Sequence, residues 1–360
     1  MDFKLKEKRK KIKEELKKIF LLSHFSFFVF LFSLHFSLLS CSRAEPSRVE
    51  FALGTVCSVT LFEHADDRIY NDIFNRIREI ENLMSVNIPS SDISRINASS
   101  GIEPVQVHED TIKVIERAVY YAEISGGAFD PTVGPLVSLW GIGNENQRIP
   151  AQAEIDKTLP LVNWRNVEIK AETNSVFLKH QGMALDLGAI AKGYAADEAA
   201  AIIRKTKVKQ AIIDLGGNVF LYGVKKDKSP WKVGIQNPLE SRGIITGIVQ
   251  VNEKTVVTSG VYERFFEQDG KRFHHIFSPS LGYPASNGLL SVTIIADNSM
   301  EADALSTAVF VLGYERGKAL LEFFPGTKAI YIFEDMSIRI TPEADFSLSD
   351  TAFHIKKLNS

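Results

Sequence analysis

The chain reads as an α+β protein, because strand-like and helix-like stretches follow one another without the regular alternation of a parallel-sheet fold. Three patterns carry this reading. Val49 to Phe62 alternates apolar and polar residues, with Val56, Val59 and Leu61 among the apolar ones, as a half-buried strand does. Ile69, Ile73, Ile77, Ile80 and Met84 then recur at helical spacing, which predicts an amphipathic helix over 66–84. From Val167 onward short strand-like runs dominate.

The remaining elements follow in order. Residues 110–124 read as a second helix, stopped by Gly126-Gly127. The polar, glycine-containing stretch 141–150 is expected to be an exposed loop. Strands are expected at 176–178, 184–187, 210–215, 231–236 and 243–251. The alanine-rich stretch 191–204 is expected to be a helix among them. Two more helices, over 302–312 and 316–324, precede a closing hairpin of 328–333 and 337–341. No repeat of fixed period occurs, and nothing after residue 45 is of low complexity.

With 360 residues, 45% of them apolar and 24% charged, the chain can bury a sizeable core without disulfides. A formal net charge of -2 gives no basic balance that would point to nucleic acid.

The charged N-terminal run, Lys4 to Lys18, precedes an apolar run from Ile19 to Ser40, the order of a targeting segment. Leu38-Leu39-Ser40-Cys41-Ser42 looks like a bacterial lipoprotein processing site, with Cys41 as the lipidated residue. An uncleaved membrane anchor is the alternative, since the apolar run is long enough to span a bilayer. Either way the folded part is expected outside the cytoplasm, on the periplasmic face of the cytoplasmic membrane. The resulting plan is a signal segment over 1–40, a lipidated tether over 41–48, a folded unit over 49–345 and a tail over 346–360. Cys57, the second of two cysteines, is expected to be a small buried residue, with no disulfide.

Three strings rich in glycine and aspartate stand out: Phe129 to Pro135, Leu185 to Tyr194, and Asp214 to Asn218. Small residues let backbone N–H groups approach a phosphate, and a following helix N-terminus favours anions. Lys192 can add a point charge there. Tight turns with capping aspartates are the alternative reading. Asp303 and Thr307 stand four apart, so a helix would put both oxygens on one face, as a hard cation requires. The alternative is an aspartate near a helix N-terminus. Thr258-Ser259-Gly260 and His274-His275 are expected to be joined by a hairpin turning at Gln268-Asp269-Gly270. That makes His275 a candidate general base, or else a half-exposed strand histidine.

Taken in order, Leu53-Gly54-Thr55, Phe129 to Leu136, Leu185 to Asp197, Asp214 to Asn218, Thr258 to Arg264, His274 to Pro284 and Ala302 to Ala308 resemble the ApbE family of FAD:protein FMN transferases. The resemblance covers roughly 49–341. It implies a single T-fold-like unit of mixed sheets flanked by helices, with room for two subdomains. It also implies FAD as substrate, Mg²⁺ as cofactor, and transfer of FMN to a Thr hydroxyl of a redox protein with release of AMP. By resemblance Asp303, Thr307 and the Ala189 carbonyl would hold the metal. Lys192 would lie near phosphate. Leu53, Asn87, Ala128, Phe129, Asp130 and the Thr258-Ser259-Gly260 turn would line the nucleotide. His275 would be the base, so that His275, Asp303 and Lys192 form the catalytic set. The implied partners are redox-pump subunits with a Ser/Thr flavinylation motif.

The chain departs from the family pattern in three places. Leu53 replaces a methionine, and Ser278 and Ser280 replace an acid and a base. Asn87 stands where many relatives carry an aromatic. Without stacking there, FAD would be held less tightly, and hydrolysis of FAD to FMN and AMP becomes an expected second activity. A flavin-storage lipoprotein and an ordinary sugar- or peptide-binding lipoprotein are the competing readings.

Overall fold

The computed structural model describes residues 47–356. The signal segment, Cys41 and the tether up to residue 46 lie outside the described residues.

The expected first strand is two: β1 (Ser47–Ala52) and β2 (Thr55–Phe62) pair as an antiparallel hairpin. Leu53 and Gly54 make its turn, both at positive φ (53° and 67°), the backbone that two-residue hairpin turns require. For Leu53 this conformation is costly, so surrounding contacts must hold it. The helix α1 (Asp67–Met84) begins one residue later than expected, because Asp66 is its cap and accepts the Arg68 N–H. Its inward face is the predicted apolar stripe: Ile73, Ile77, Ile80 and Met84 are buried.

Next come α2 (Asp92–Ala98), β3 (Val105–Gln106), α3 (Glu109–Ile124), α4 (Gly134–Trp140) and α5 (Gln152–Thr158). The helices α2, α4 and α5 have seven residues each, too few for the helical period to show in the sequence. They are followed by β4 (Val167–Lys170), β5 (Ser175–Leu178), α6 (Ala191–Arg204), β6 (Gln210–Leu215) and β7 (Asn218–Tyr222). The expected strand at 184–187 is absent; only an isolated parallel bridge joins Ala184 to Val133. The chain continues through β8 (Trp231–Gln236), β9 (Ile245–Val251), β10 (Lys254–Gly260), β11 (Phe265–Gln268), β12 (Lys271–His274) and β13 (Leu289–Ala296). After α7 (Ser299–Leu321) it ends in β14 (Lys328–Phe333), β15 (Ser337–Ile340), β16 (Asp345–Leu348) and β17 (His354–Ile355). The two expected C-terminal helices are both within α7, broken at Gly313, whose φ of 75° and ψ of 179° are not helical.

A nine-stranded sheet in the order β1-β2-β6-β7-β10-β13-β14-β15-β17 forms the frame, antiparallel except for β15 with β17. Every residue of β13 is buried, as befits a central strand covered on both faces. The helix α7 packs on β10 and β13, and α6 packs on α7. Two three-stranded sheets, β16-β9-β8 and β3-β5-β4, flank this frame. The architecture is the expected α+β class. The described residues cluster as one unit, without a division into two subdomains. Residues of the expected tail take part in two sheets: β16 pairs with β9 in a flanking sheet, β17 pairs with β15 in the frame, and Phe353 is buried. Among the described residues no helix is long and apolar enough to cross a membrane.

Candidate active site

The N-termini of α6 and α7 meet at backbone contact. A Cβ on Gly193 would lie 2.3 Å from the Ser299 carbonyl oxygen, so only glycine fits there. The contact is fastened from both helices. The Gly193 N–H donates to Asp303 Oδ2 at 2.9 Å, and the Ser299 and Met300 N–H groups donate to the Asp197 carboxylate, each at 2.9 Å. Burial pushes the Asp197 carboxyl up to about 6.

The fastening has a chemical consequence. Gly193 is the third residue of α6, so its N–H is one of the orphan donors at the helix start. Asp303 meets that donor, and among the described residues none meets the Ala189 oxygen, which precedes the helix. Asp303 is buried, and its Oδ1 lies 3.6 Å from the Lys192 ammonium. Lys192 also donates to the Gly188 carbonyl at 2.9 Å. One turn along α7, the Thr307 hydroxyl lies 3.3 Å from Ser259 Oγ, which also bonds Ser306 Oγ at 2.8 Å. A buried carboxylate with an ammonium beside it and, one turn along α7, a hydroxyl therefore share one face of α7 near the start of α6. These two, and the Ala189 carbonyl that precedes α6, are hard oxygen donors, which suits a small divalent cation that keeps waters and phosphate oxygens as its other ligands. Among the described residues no group of three or more His, Cys, Asp or Glu could hold a metal, so any cation here relies on this mixed oxygen set.

The two adjacent histidines differ in tautomer. His274 is buried, with Nε2 at 3.0 Å from the Ala285 carbonyl and Nδ1 accepting the Ile276 N–H at 3.3 Å. A carbonyl only accepts, so the proton is on Nε2 and both nitrogens are used. For His275 it is Nδ1 that faces a carbonyl, that of Arg264, at 3.2 Å. Its proton is thereby fixed on Nδ1, and Nε2 keeps a free lone pair. Burial, with the nearby positive charges of Arg264 and Lys192, pushes His275 down to about 3. It is a neutral, half-buried imidazole with an acceptor nitrogen free.

The other expected residues are placed as follows. Leu53 sits in the β1–β2 turn, partly buried against the core. Asn87 is exposed in the turn after α1, its backbone N–H donating to Ser85 Oγ at 3.2 Å. Ala128 is half-buried, but the side chains of Phe129 and Asp130 face inward. The Phe129 ring meets Tyr121 edge-on, and Asp130 accepts from Thr132 N–H, Thr132 Oγ1 and Trp164 N–H. Burial raises the Asp130 carboxyl, and those bonds oppose the rise. This is the capping role that the tight-turn alternative gives Asp130, and what the segment can offer a ligand is backbone.

Thr258 and Ser259 point to opposite faces of β10, as neighbours on a strand do. Ser259 meets α7, whereas Thr258 bonds Thr293 Oγ1 at 2.8 Å and lines a cleft of about 670 Å³ with Val233, Ile245 and Tyr262. The structure thus separates two residues that sequence reasoning had grouped. Gly260 gives the Tyr262 ring its seat: a Cβ there would lie 2.4 Å from the ring. Ser278 is buried, Ser280 is exposed, and their hydroxyls are 3.3 Å apart. Sequence reasoning missed Asp197, although its spacing from Gly193, one helical turn, is visible in the alanine-rich stretch. It also missed Arg264.

The sequence profile described as the ApbE family matches residues 53–331. A protein of Treponema pallidum named FAD:protein FMN transferase is 39% identical over 315 residues, covering 82% of this chain and 86% of its own. One from Klebsiella pneumoniae with the same name is 37% identical, covering 84% of this chain and 94% of its own. Among solved structures, the ApbE protein of Thermotoga maritima superposes with a TM-score of 0.74 at 34% identity, over 86% of this chain and 98% of that one. The flavin transferase ApbE of Vibrio cholerae does so with 0.73 at 28%, over the same shares. By profile, by relatives and by fold, the chain belongs to the ApbE family.

Proposed function

We propose that this protein is an FAD:protein FMN transferase that uses Mg²⁺ and acts on a Thr hydroxyl of a redox protein. The observation that carries the reading is the junction of α6 and α7, where the buried Asp303 carboxylate stands beside Lys192 and one turn from the Thr307 hydroxyl. Family membership and the relatives' names supply FAD, FMN and protein as the reactants.

In this reading the acceptor hydroxyl oxygen attacks the FMN phosphorus of FAD. The new P–O bond forms as the bond to the AMP phosphate oxygen breaks, and the hydroxyl proton passes to His275 Nε2. AMP leaves as the phosphate monoester. Positioning and neutralisation of charge do most of the work in such a transfer. Asp303, Thr307 and Ala189 would hold the Mg²⁺, which when bound polarises the diphosphate oxygens. Lys192, already drawn to Asp303, would meet the diphosphate oxygens of FAD bound beside it. The neutral tautomer of His275 can accept a proton without first losing one.

Exposure of Asn87 supports a second activity. An amide there cannot stack on a flavin or adenine ring, so water can compete with the acceptor and yield FMN and AMP. Cys41 lies outside the described residues, and we propose on sequence grounds that it carries the lipid that holds the enzyme at the periplasmic membrane face. A storage role is disfavoured because storage requires neither a divalent-cation oxygen set nor a free imidazole lone pair.

The test uses the protein with FAD and Mg²⁺, first alone and then with a redox-pump subunit bearing the flavinylation motif. FMN should appear covalently on the acceptor, and not on an acceptor whose target Thr is replaced by Ala. AMP formed without acceptor measures the hydrolysis. Tight FAD binding without either product would favour storage instead.

A further inference from the structure

Arg264 occupies a place that neither the motif reading nor the transfer step has used. Its carbonyl oxygen accepts twice from one residue, from the His275 N–H at 3.1 Å and from the His275 Nδ1 at 3.2 Å. Its side chain runs along the backbone of Gly143, where an added Cβ would lie 3.7 Å from Arg264 Cδ. It ends at the β1–β2 turn, where a Cβ on Gly54 would lie 3.6 Å from Arg264 Nη2. Gly143 and Gly54 have positive φ, +87° and +67°, and neither carries a side chain, so the track that the Arg264 side chain follows there is bare backbone. Among the described residues the guanidinium has no carboxylate and no hydrogen-bond acceptor. Arg264 is exposed, so solvent meets the guanidinium where Arg76, Arg78, Arg95 and Arg148 have carboxylates. The fields of Arg264 and Lys192 both reach the His275 ring. Both cations act on the imidazole, and of the two only Lys192 has a carboxylate partner among the described residues.

We propose that the Arg264 guanidinium grips the diphosphate of FAD together with Lys192, so that one residue both fixes the base and clamps the group it acts on. The assignment rests on the proposed function above. Arginine suits the task because its planar fork can donate two parallel hydrogen bonds to phosphate oxygens. The coupling is geometric. The same residue's carbonyl sets the His275 tautomer and its side chain reaches the Leu53-Gly54 turn, so phosphate bound by Arg264 is held in register with Nε2. Lys192 is shared with Asp303, whereas Arg264 is free to meet the anion first.

The experiment measures binding of FAD, of ADP (diphosphate without flavin) and of riboflavin (flavin without phosphate) to the wild type, Arg264→Gln and Arg264→Lys. Melting temperatures confirm that each variant is folded. Loss of charge-assisted bonds to phosphate should weaken FAD and ADP about ten- to a hundredfold in Arg264→Gln. Riboflavin should bind as in the wild type, and Arg264→Lys should fall between. Unchanged ADP and FAD affinity in Arg264→Gln overturns the assignment, as does an equal loss for riboflavin. A wild type that binds neither FAD nor ADP overturns the proposed function along with it.

Discussion

Asp303 and Asp197 cap each other's helices. Asp303 of α7 accepts the Gly193 N–H of α6 at 2.9 Å, and Asp197 of α6 accepts the Ser299 and Met300 N–H groups of α7 at the same distance. Helix N-termini carry partial positive charge and unmet donors, so each carboxylate supports the other's helix. The exchange fixes the Asp303 carboxylate beside Lys192, which links stability at this junction to the chemistry beside it.

Replacing Asp197 by Ala leaves two backbone donors unmet and should cost about 2 kcal/mol. Thermal or denaturant unfolding reads it. The pH dependence follows from the raised carboxyl, about 6 against an ordinary 3.8. An acid raised by folding binds its proton more tightly in the native state. Its stabilising contribution is therefore complete below the unfolded value and is lost as pH rises through the folded value. The Asp197→Asn variant should show less of this decline between pH 4 and pH 6 than the wild type. An identical slope in both would contradict the raised carboxyl.

Gly193→Ala tests the close approach. The added methyl would meet backbone, the Ser299 oxygen at 2.3 Å and Met300 Cα at 2.6 Å, rather than a side chain that can move. A loss of about 2 to 3 kcal/mol is expected, in the range of core overpacking. Metal-dependent activity should fall with it, since the two helices must part. Unchanged stability would mean that they separate at little cost.

The two histidines should separate in their effects. His275→Gln removes the free lone pair and should lower transfer about 10² to 10⁴-fold, with little change in melting temperature. His274→Gln disturbs two buried hydrogen bonds and should lower stability first. Stopped-time transfer assays beside melting curves distinguish them. Equal effects on activity would remove His275 from the role of base.

Asn87→Tyr should tighten FAD binding about tenfold or more, the scale of one stacked ring, and slow AMP release in the absence of acceptor. Calorimetry and AMP quantification check the two arms. Tighter binding with undiminished hydrolysis would break the link between stacking and exclusion of water.

Much of this architecture was legible in the sequence, for local reasons. The helix α6 was read from Ala191 to Arg204, and β6 and β8 at their bounds, because each carries its own period. The β11–β12 turn was read from Asp269-Gly270, which take φ of 52° and 72°. The β1–β2 turn escaped because Leu53 is apolar and so kept the strand pattern running through a positive-φ position. The closing hairpin of β14 and β15 was read, but β16 and β17 escaped because they are only four and two residues long and rely on pairing with β9 and β15. Within the site, Asp303, Thr307 and Lys192 were visible as residue types at a spacing. The inward turn of Phe129 and Asp130, the opposite faces of Thr258 and Ser259, and the Asp197 cap depend on tertiary placement, which spacing along the chain does not encode.

The most direct measurement incubates wild-type protein and Asp303→Ala with FAD, Mg²⁺ and an acceptor subunit, and follows the acceptor by intact mass and in-gel flavin fluorescence. The account predicts that the wild type adds one FMN, less water, to the acceptor and releases AMP in equal amount. It predicts that chelation of the metal or the Asp303→Ala change abolishes both. Transfer that persists in folded Asp303→Ala protein, or in the presence of a chelator, would contradict it.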